Sequence, residues 1–241
     1  MKLYHGTTEA VARQAFDYGI LSREQSDVAT KWPDCPSRED MTYLTRAYAP
    51  YFAMSATGEG DGKWGLVEVD TEIEDLEEYL YPDEDFLEQA TRRGSSPCPE
   101  GLDMLERTAW FRENLLSFQH VWEDSLNGLG NCAVLGKVPA VNVTRVVLFD
   151  SKSNLQMAMM AIDPMITLMN YQILGGTKYR ALTAWFFGDD VKATDFDPTL
   201  ALLEGPQAKS LPTGYAKYAE QLRAALEERS GIEILTGVPA A

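Results

Sequence analysis

The sequence predicts an α+β domain built on short strands. Strand-like and helix-like stretches alternate irregularly, without the strand–helix–strand rhythm of a parallel sheet. No Gly-x-x-x-x-Gly-Lys phosphate loop occurs. Apolar residues make up 45% and charged residues 24% of 241 residues, which is enough for a buried core without disulfide or metal staples.

The elements follow in order. Met1 to Tyr4 alternates and gives way at His5-Gly6, so it reads as a short strand and a turn. Thr7 or Thr8 caps a helix starting near Glu9. Val11, Ala15 and Tyr18 give that helix an apolar face, and Gly19 ends it as a left-handed residue. Residues 22–40 are polar, carry Pro33 and Pro36, and read as a loop. Thr42 to Thr45 is a second strand, and a short helix follows from Ala47 to Met54 around Pro50. A turn over Gly58 to Lys63 leads to a third strand, Trp64 to Val69. The run from Glu68 to Glu88 is rich in Asp and Glu and has no Lys or Arg. It reads as a solvated, partly disordered insertion or, alternatively, as a surface for a basic partner.

A helix around Asp83 to Arg93 follows, broken at Gly94 to Pro97. Leu102 to Leu126 is mostly helical, with Leu105, Trp110, Leu115, Phe118 and Trp122 facing the core and Gly128 to Gly130 ending it. Asn131 to Leu135 and Val143 to Phe149 are two strands, bent at Gly136 and Pro139. Residues 1–150 thus form one core, and residues 151–241 read as a helical addition packed on it. Five of the nine methionines fall between Met157 and Met169, which suits a helical core or a flexible partner groove. Tyr215, Tyr218, Leu222, Ala225 and Leu226 mark a final helix that stops at Gly231.

A net charge of −16 opposes broad nucleic-acid binding, which needs clustered Lys and Arg against phosphate. No apolar run reaches membrane-spanning length and no secretory leader is legible, so a soluble, cytoplasmic protein is expected. Cys35, Cys98 and Cys132 are widely spaced and odd in number, which fits neither a zinc site nor a disulfide framework. Cys132 reads as a small buried residue, since no base to activate a thiolate can be named.

His5 is one of only two histidines. Taken alone it reads as a structural hydrogen-bonder. Gly6 beside it would let a ligand approach the backbone, and Thr7 adds a hydroxyl at a helix start, where N–H groups favour anions. Leu3-Tyr4-His5-Gly6-Thr7, then a helix closed by Gly19, then Tyr43-Leu44-Thr45 and an aromatic-rich turn, resembles the ADP-ribosyltransferase superfamily. Within it the likeness is to the His-Tyr-Glu branch of poly(ADP-ribose) polymerases, diphtheria-type toxins and DarT-like enzymes, over roughly residues 3–150.

The resemblance implies a split sheet of short strands and NAD as co-substrate. It implies that His5 holds a ribose hydroxyl and that the backbone of Gly6 holds the nicotinamide amide, with Thr7 and Thr45 beside them. Tyr43 and Tyr51 would flank the nicotinamide ring, with Tyr48 competing for the second place. The third motif departs from the family. Where a glutamate should open the strand before the bend, Asn131 or Cys132 stands, and the nearest upstream acids are Glu123 and Asp124. Three readings follow: Asn131 takes the third role, bonding a ribose hydroxyl without acting as a base; Glu123 or Asp124 reaches the site from the helix end as the catalytic acid; or the site only binds a nucleotide.

The expected activity is transfer of ADP-ribose from NAD to a protein or small-molecule acceptor, with nucleic acid less favoured, as in phage or toxin-type effectors. The alternatives are a non-catalytic binding module on a degenerate transferase fold, using the acidic run, and an RNA 2′-phosphotransferase-like enzyme. The latter would use basic residues such as Arg107 and Arg112, with His120 nearby; as a bland alternative, the arginines form a solvated helix face and His120 is partly buried and structural.

Overall fold

The computed structural model describes the chain except residues 27–29, 31, 32, 34, 35, 57–61, 92–96, 151–175, 211, 213 and 238–241. Seven strands form one open sheet in the order β4-β5-β2-β1-β3-β6-β7, and every neighbouring pair is antiparallel. They are β1 (Lys2–Thr8), β2 (Met41–Thr45), β3 (Trp64–Asp70), β4 (Leu80–Pro82), β5 (Asn131–Leu135), β6 (Val143–Phe149) and β7 (Glu233–Thr236). The chain is therefore mixed, with helices laid on an antiparallel sheet, as the α+β reading expects.

The sheet is continuous, but its joints differ. β1 pairs with β3 along its whole length, from Lys2↔Asp70 to Thr8↔Trp64. β2 pairs with β5 from Met41↔Leu135 to Thr45↔Asn131. β1 and β2 share a single registered pair, Tyr4↔Thr45. This narrow joint, the seam, divides a four-strand blade (β1-β3-β6-β7) from a three-strand blade (β4-β5-β2). In place of the split sheet implied by the resemblance, the described strands form one open sheet with a thin joint.

Side-chain alternation sorts the core. Leu3, Leu44, Val67, Cys132, Val134, Val146 and Leu148 point to one face and join Ala12, Ala15 and Leu126 in a cluster that crosses the seam. The opposite face carries two separate clusters. One covers the four-strand blade through Leu66, Val147 and Phe149, and the other covers the three-strand blade through Met41, Ala133, Phe111 and Leu115.

α1 (Glu9–Tyr18) is capped by Thr8, whose Oγ1 accepts from Val11 N at 3.4 Å, and it ends at Gly19 with φ of 79°. Its buried residues are Ala12 and Ala15, while Tyr18 is 60% exposed. Alanines suit this face because α1 lies close on β3: a Cβ at Gly65 would sit 2.3 Å from the Ala12 Cβ. β1 does not stop at His5-Gly6 but runs through them to Thr8. A Cβ on Gly6 would lie 2.0 Å from the carbonyl oxygen of Ala49 in α3 (Ala49–Ala56), so the helix backbone itself demands glycine. Thr7 is a buried strand residue rather than a helix start.

The polar stretch after α1 contains a four-residue helix, α2 (Arg23–Ser26). The acidic run is not a disordered insertion. It holds a 3₁₀ segment (Ile73–Tyr79), β4 and the start of α4 (Glu84–Thr91). Leu76 and Leu80 anchor it, and Glu68, Asp83, Glu84 and Glu88 are buried. Its exposed charge is reduced to residues such as Glu72, Glu74, Asp75 and Glu78. α5 (Met104–Asn114), a 3₁₀ turn (Leu115–Val121) and α6 (Trp122–Gly128) follow. Phe111 and Leu115 are buried here, whereas Leu105 is 47% exposed.

The region after residue 150 is not wholly helical. α7 (Thr177–Phe186), α8 (Ala193–Phe196) and α9 (Tyr215–Glu227) are joined by β7, which extends the sheet beside β6. Trp185, Phe186 and Leu182 pack on Leu66 and Phe149, with the Phe149 and Phe186 rings 4.3 Å apart. Thr183 Oγ1 donates to Ala47 O at 3.0 Å, and Trp185 Nε1 donates to Leu226 O at 2.8 Å. The methionine-rich stretch, residues 157–169, lies outside the described residues. Among the described residues no helix is long and apolar enough to cross a membrane.

Candidate functional site

The seam brings several of the chosen residues together. The His5 ring crosses it, with Nδ1 2.8 Å from the carbonyl oxygen of Tyr43. A carbonyl only accepts, so Nδ1 carries the hydrogen. Burial lowers the His5 pKa, against a smaller upward push from the same bond. The ring is therefore neutral, and Nε2 keeps its lone pair as an acceptor.

Tyr43 is held more tightly than a ring platform requires. Its hydroxyl donates to the Glu84 carboxylate, 2.8 Å from both oxygens, and accepts from Arg38 N at 3.0 Å. Its ring packs against the cluster of Met41, Leu87 and Phe111. Burial first, then the charges of Glu84 and Asp83, push its pKa well up, so the phenol stays protonated. Tyr48 is fully buried, 5.3 Å from the Tyr179 ring, whereas Tyr51 is half-buried beside Phe52. Thr45 is already engaged: its Oγ1 donates to Gly130 O at 3.0 Å and accepts from Ala47 N and Tyr48 N. It shapes the turn into α3.

Asn131 stands opposite Thr45, in a row Tyr4–Thr45–Asn131 that crosses the seam. It is 6% exposed, and its Oδ1 has no hydrogen-bond partner. Its side chain bonds Asp83, which follows β4 directly because Pro82 pairs with Cys132. Ser125 closes the group: its Oγ accepts from Asp83 N and donates to Asn131 O, both at 2.9 Å. Burial, reinforced by neighbouring carboxylates, raises the pKa of Asp83, Glu84 and Asp85 alike. Among the described residues no Lys or Arg forms an ion pair with Asp83 or Glu84.

The acid beside Asn131 is thus Asp83. Glu123 and Asp124 are exposed in the first turn of α6, and Ser125, next in the chain, is what reaches Asn131. Asp83 is hard to see from sequence, since Tyr81-Pro-Asp-Glu-Asp85 reads as the tail of a charge run. The one available signal is that apolar Leu80 and Pro82 flank it and carry it into the sheet.

The remaining candidates fall elsewhere. Arg107 Nε lies 3.6 Å from Glu88, and Arg112 Nη1 donates to Pro36 O at 2.6 Å, so both hold the three-strand blade's helices and loop in place. His120 is exposed rather than partly buried. Cys132 is fully buried, and burial pushes its thiol far up, which leaves it inert. Two shallow recesses lie away from the seam: one of about 420 Å³ beside Glu9, Arg13 and Lys63, and one of about 450 Å³ beside Arg180, Asp189 and Asp195. No group of His, Cys, Asp and Glu with metal-holding geometry occurs among the described residues.

No protein-family model matches this chain, and no curated protein does. Among solved structures it is similar to EcPltA, at 14% identity over 62% of this chain and 77% of that chain, with a TM-score of 0.35. A likeness that weak carries no argument about chemistry.

Proposed function

We propose that this protein is an enzyme that cleaves the nicotinamide–ribose bond of NAD and transfers ADP-ribose to an acceptor. The observation that carries the reading is His5: a neutral ring in the seam, its Nδ1–H committed to the Tyr43 carbonyl and its Nε2 left to accept. A ribose hydroxyl is the donor that such an atom suits. Beyond the Tyr4↔Thr45 pair the facing edges of β1 and β2 form no further registered pairs, and on this reading an amide such as nicotinamide pairs with the backbone at Gly6. Tyr51 offers an aromatic face, and Tyr43 supports the His5 bond from behind.

In this mechanism NAD is co-substrate. As the C1″–N bond of the nicotinamide riboside breaks, positive charge develops on the ribose ring, and the site positions and polarises rather than attacks. His5 orients the ribose through Nε2, and its neutrality avoids placing a second positive charge beside the developing one. The acidic surface favours a protein or small-molecule acceptor over a long nucleic acid.

The test uses NAD labelled on the nicotinamide or on the adenine side, incubated with the purified protein with and without host lysate. Nicotinamide release with label transfer should fall about a hundredfold in His5→Ala through lost positioning. Absence of NAD binding by calorimetry to the wild-type chain overturns the reading.

A further inference from the structure

We propose that the seam is a joint with an open and a closed position, and that the His5 side chain is the wedge that holds it open. The inference deepens the transferase reading above, because it names what keeps the backbone of Gly6 available to a ligand.

The antiparallel register defines the pairs that do not form. Tyr4↔Thr45 places Gly6 opposite Tyr43 and Thr8 opposite Met41, all inside β1 and β2. Both strands are long enough to continue the ladder, yet they stop at one registered pair. The Tyr43 carbonyl faces β1, because it meets the His5 ring at 2.8 Å. Alternate residues of a strand send their N–H and C=O the same way, and a residue that faces its neighbour is opposed by one that faces back. Gly6 therefore turns its groups toward β2, and its N–H is the donor that a continued ladder would give to the Tyr43 carbonyl. His5 Nδ1–H takes that carbonyl instead. The imidazole thus stands between edges that a ladder would draw to about 4.8 Å.

Each side of the joint is stiff on its own. β1 is registered with β3 from Lys2 to Thr8, and α3 closes on Gly6 from one face, where a Cβ would lie 2.0 Å from Ala49 O. β2 is registered with β5 from Met41 to Thr45, and the Tyr43 hydroxyl is tied to Glu84 and to Arg38 N. The one registered pair between β1 and β2, Tyr4↔Thr45, is the hinge, and Leu3 and Leu44 beside it share one apolar cluster. Closing turns one blade on the other about this pair and forms Gly6↔Tyr43 and then Thr8↔Met41. Backbone groups without partners favour closure, and the wedge opposes it. A ligand bonded to Nε2 and to the Gly6 backbone binds the open position alone, and so shifts the joint toward it.

The experiment is amide hydrogen exchange of the full chain without NAD, read residue by residue by NMR. In the wild type the Gly6 amide, turned to the seam, should exchange at least about tenfold faster than that of Leu3, turned to β3. His5→Ala removes the wedge, and exchange at Gly6 should slow about tenfold as the ladder closes. His5→Gln keeps a side-chain N–H donor for the Tyr43 carbonyl, so Gly6 should stay near its wild-type rate. The wild-type comparison decides the matter if His5→Ala fails to fold. Wild-type exchange at Gly6 as slow as at Leu3, an unchanged rate in His5→Ala, or equal slowing in His5→Gln and His5→Ala overturns the wedge and leaves the transferase reading standing. A wild-type chain that does not bind NAD overturns the transferase reading and leaves the wedge, since the exchange rates are read without NAD.

Discussion

Glu68 and Asp83 are both buried carboxyl residues, one on each side of the seam, and they meet opposite company. Glu68, on β3 in the four-strand blade, is 1% exposed and faces a guanidinium. Arg145 donates to both of its oxygens, Thr144 Oγ1 donates at 2.6 Å, and Lys2 Nζ lies 3.8 Å away. The same arginine reaches Asp189 and the Phe187 carbonyl at 2.9 Å, and its charge lies 5.1 Å over the Phe187 ring. Its pKa rises accordingly, first through the bond to Glu68. Asp83, beyond β4 in the three-strand blade, faces an amide, a backbone N–H from Asp85 at 2.8 Å, and more carboxyls. One blade uses a buried acid to bolt the C-terminal segment to the sheet. The other holds a buried acid with its proton affinity raised, next to an unsatisfied amide. Burial alone does not set what a carboxyl does; the partner that burial brings does.

The sharpest way to break this contrast is Arg145→Met. It strands Glu68 without its cation, and since the guanidinium is partly solvated the expected loss is about 2–3 kcal/mol. The melting temperature should fall by about 5–10 °C for a chain of this size. An unchanged melt would mean that Glu68 is no more dependent on a cation than Asp83 is.

Next comes Tyr43→Phe, which leaves the Glu84 carboxyl and the Arg38 N–H short of a partner. A loss of about 1–2 kcal/mol is expected in chemical denaturation. His5 should keep its neutral tautomer in this variant, because its bond is to the Tyr43 backbone.

The pH dependence of stability separates the blades next. Asp83 has a folded pKa raised above its unfolded one, so the folded state binds the extra proton. Stability is then fullest at low pH and falls as pH climbs from the ordinary carboxylate range toward the raised value. Asp83→Asn should flatten that fall by up to about 1.4 kcal/mol per pH unit, seen in denaturant melts across the acidic to neutral range. A slope identical to wild type would show that the Asp83 pKa does not change on folding. The smallest effect belongs to Glu123→Gln and Asp124→Asn, exposed on α6, where stability should shift by under about 0.5 kcal/mol.

Much of the architecture was legible because it depends on near neighbours. Alternation marked β2, β3, β5 and β6 to within a residue or two. Gly19, Gly130 and Gly136 end or bend their elements with φ of 79°, 83° and 76°, as turn chemistry requires. β7 was missed because four residues with a half-exposed pattern carry little periodicity, and only the open edge of β6 makes them a strand. Tyr18 and Leu105 were read as core for the right spacing on the wrong face, since spacing alone does not choose which side meets the sheet. The candidate site was half legible. His5 meets the Tyr43 backbone at the seam and Asn131 stands one strand further, opposite Thr45, while Gly6 is explained by the backbone of α3, Thr45 by a turn, and Tyr48 by the core.

The sequence by itself determined the strand–helix order, the turns, the scarcity of histidine and the excess of acid, because composition and local periodicity need no knowledge of distant residues. Tertiary structure alone decided which nitrogen of His5 carries its hydrogen, which carboxyls lose water, and that Asp83 rather than Glu123 stands beside Asn131. The reason is physical: tautomer and protonation follow from burial and from partners that the chain brings together only by folding.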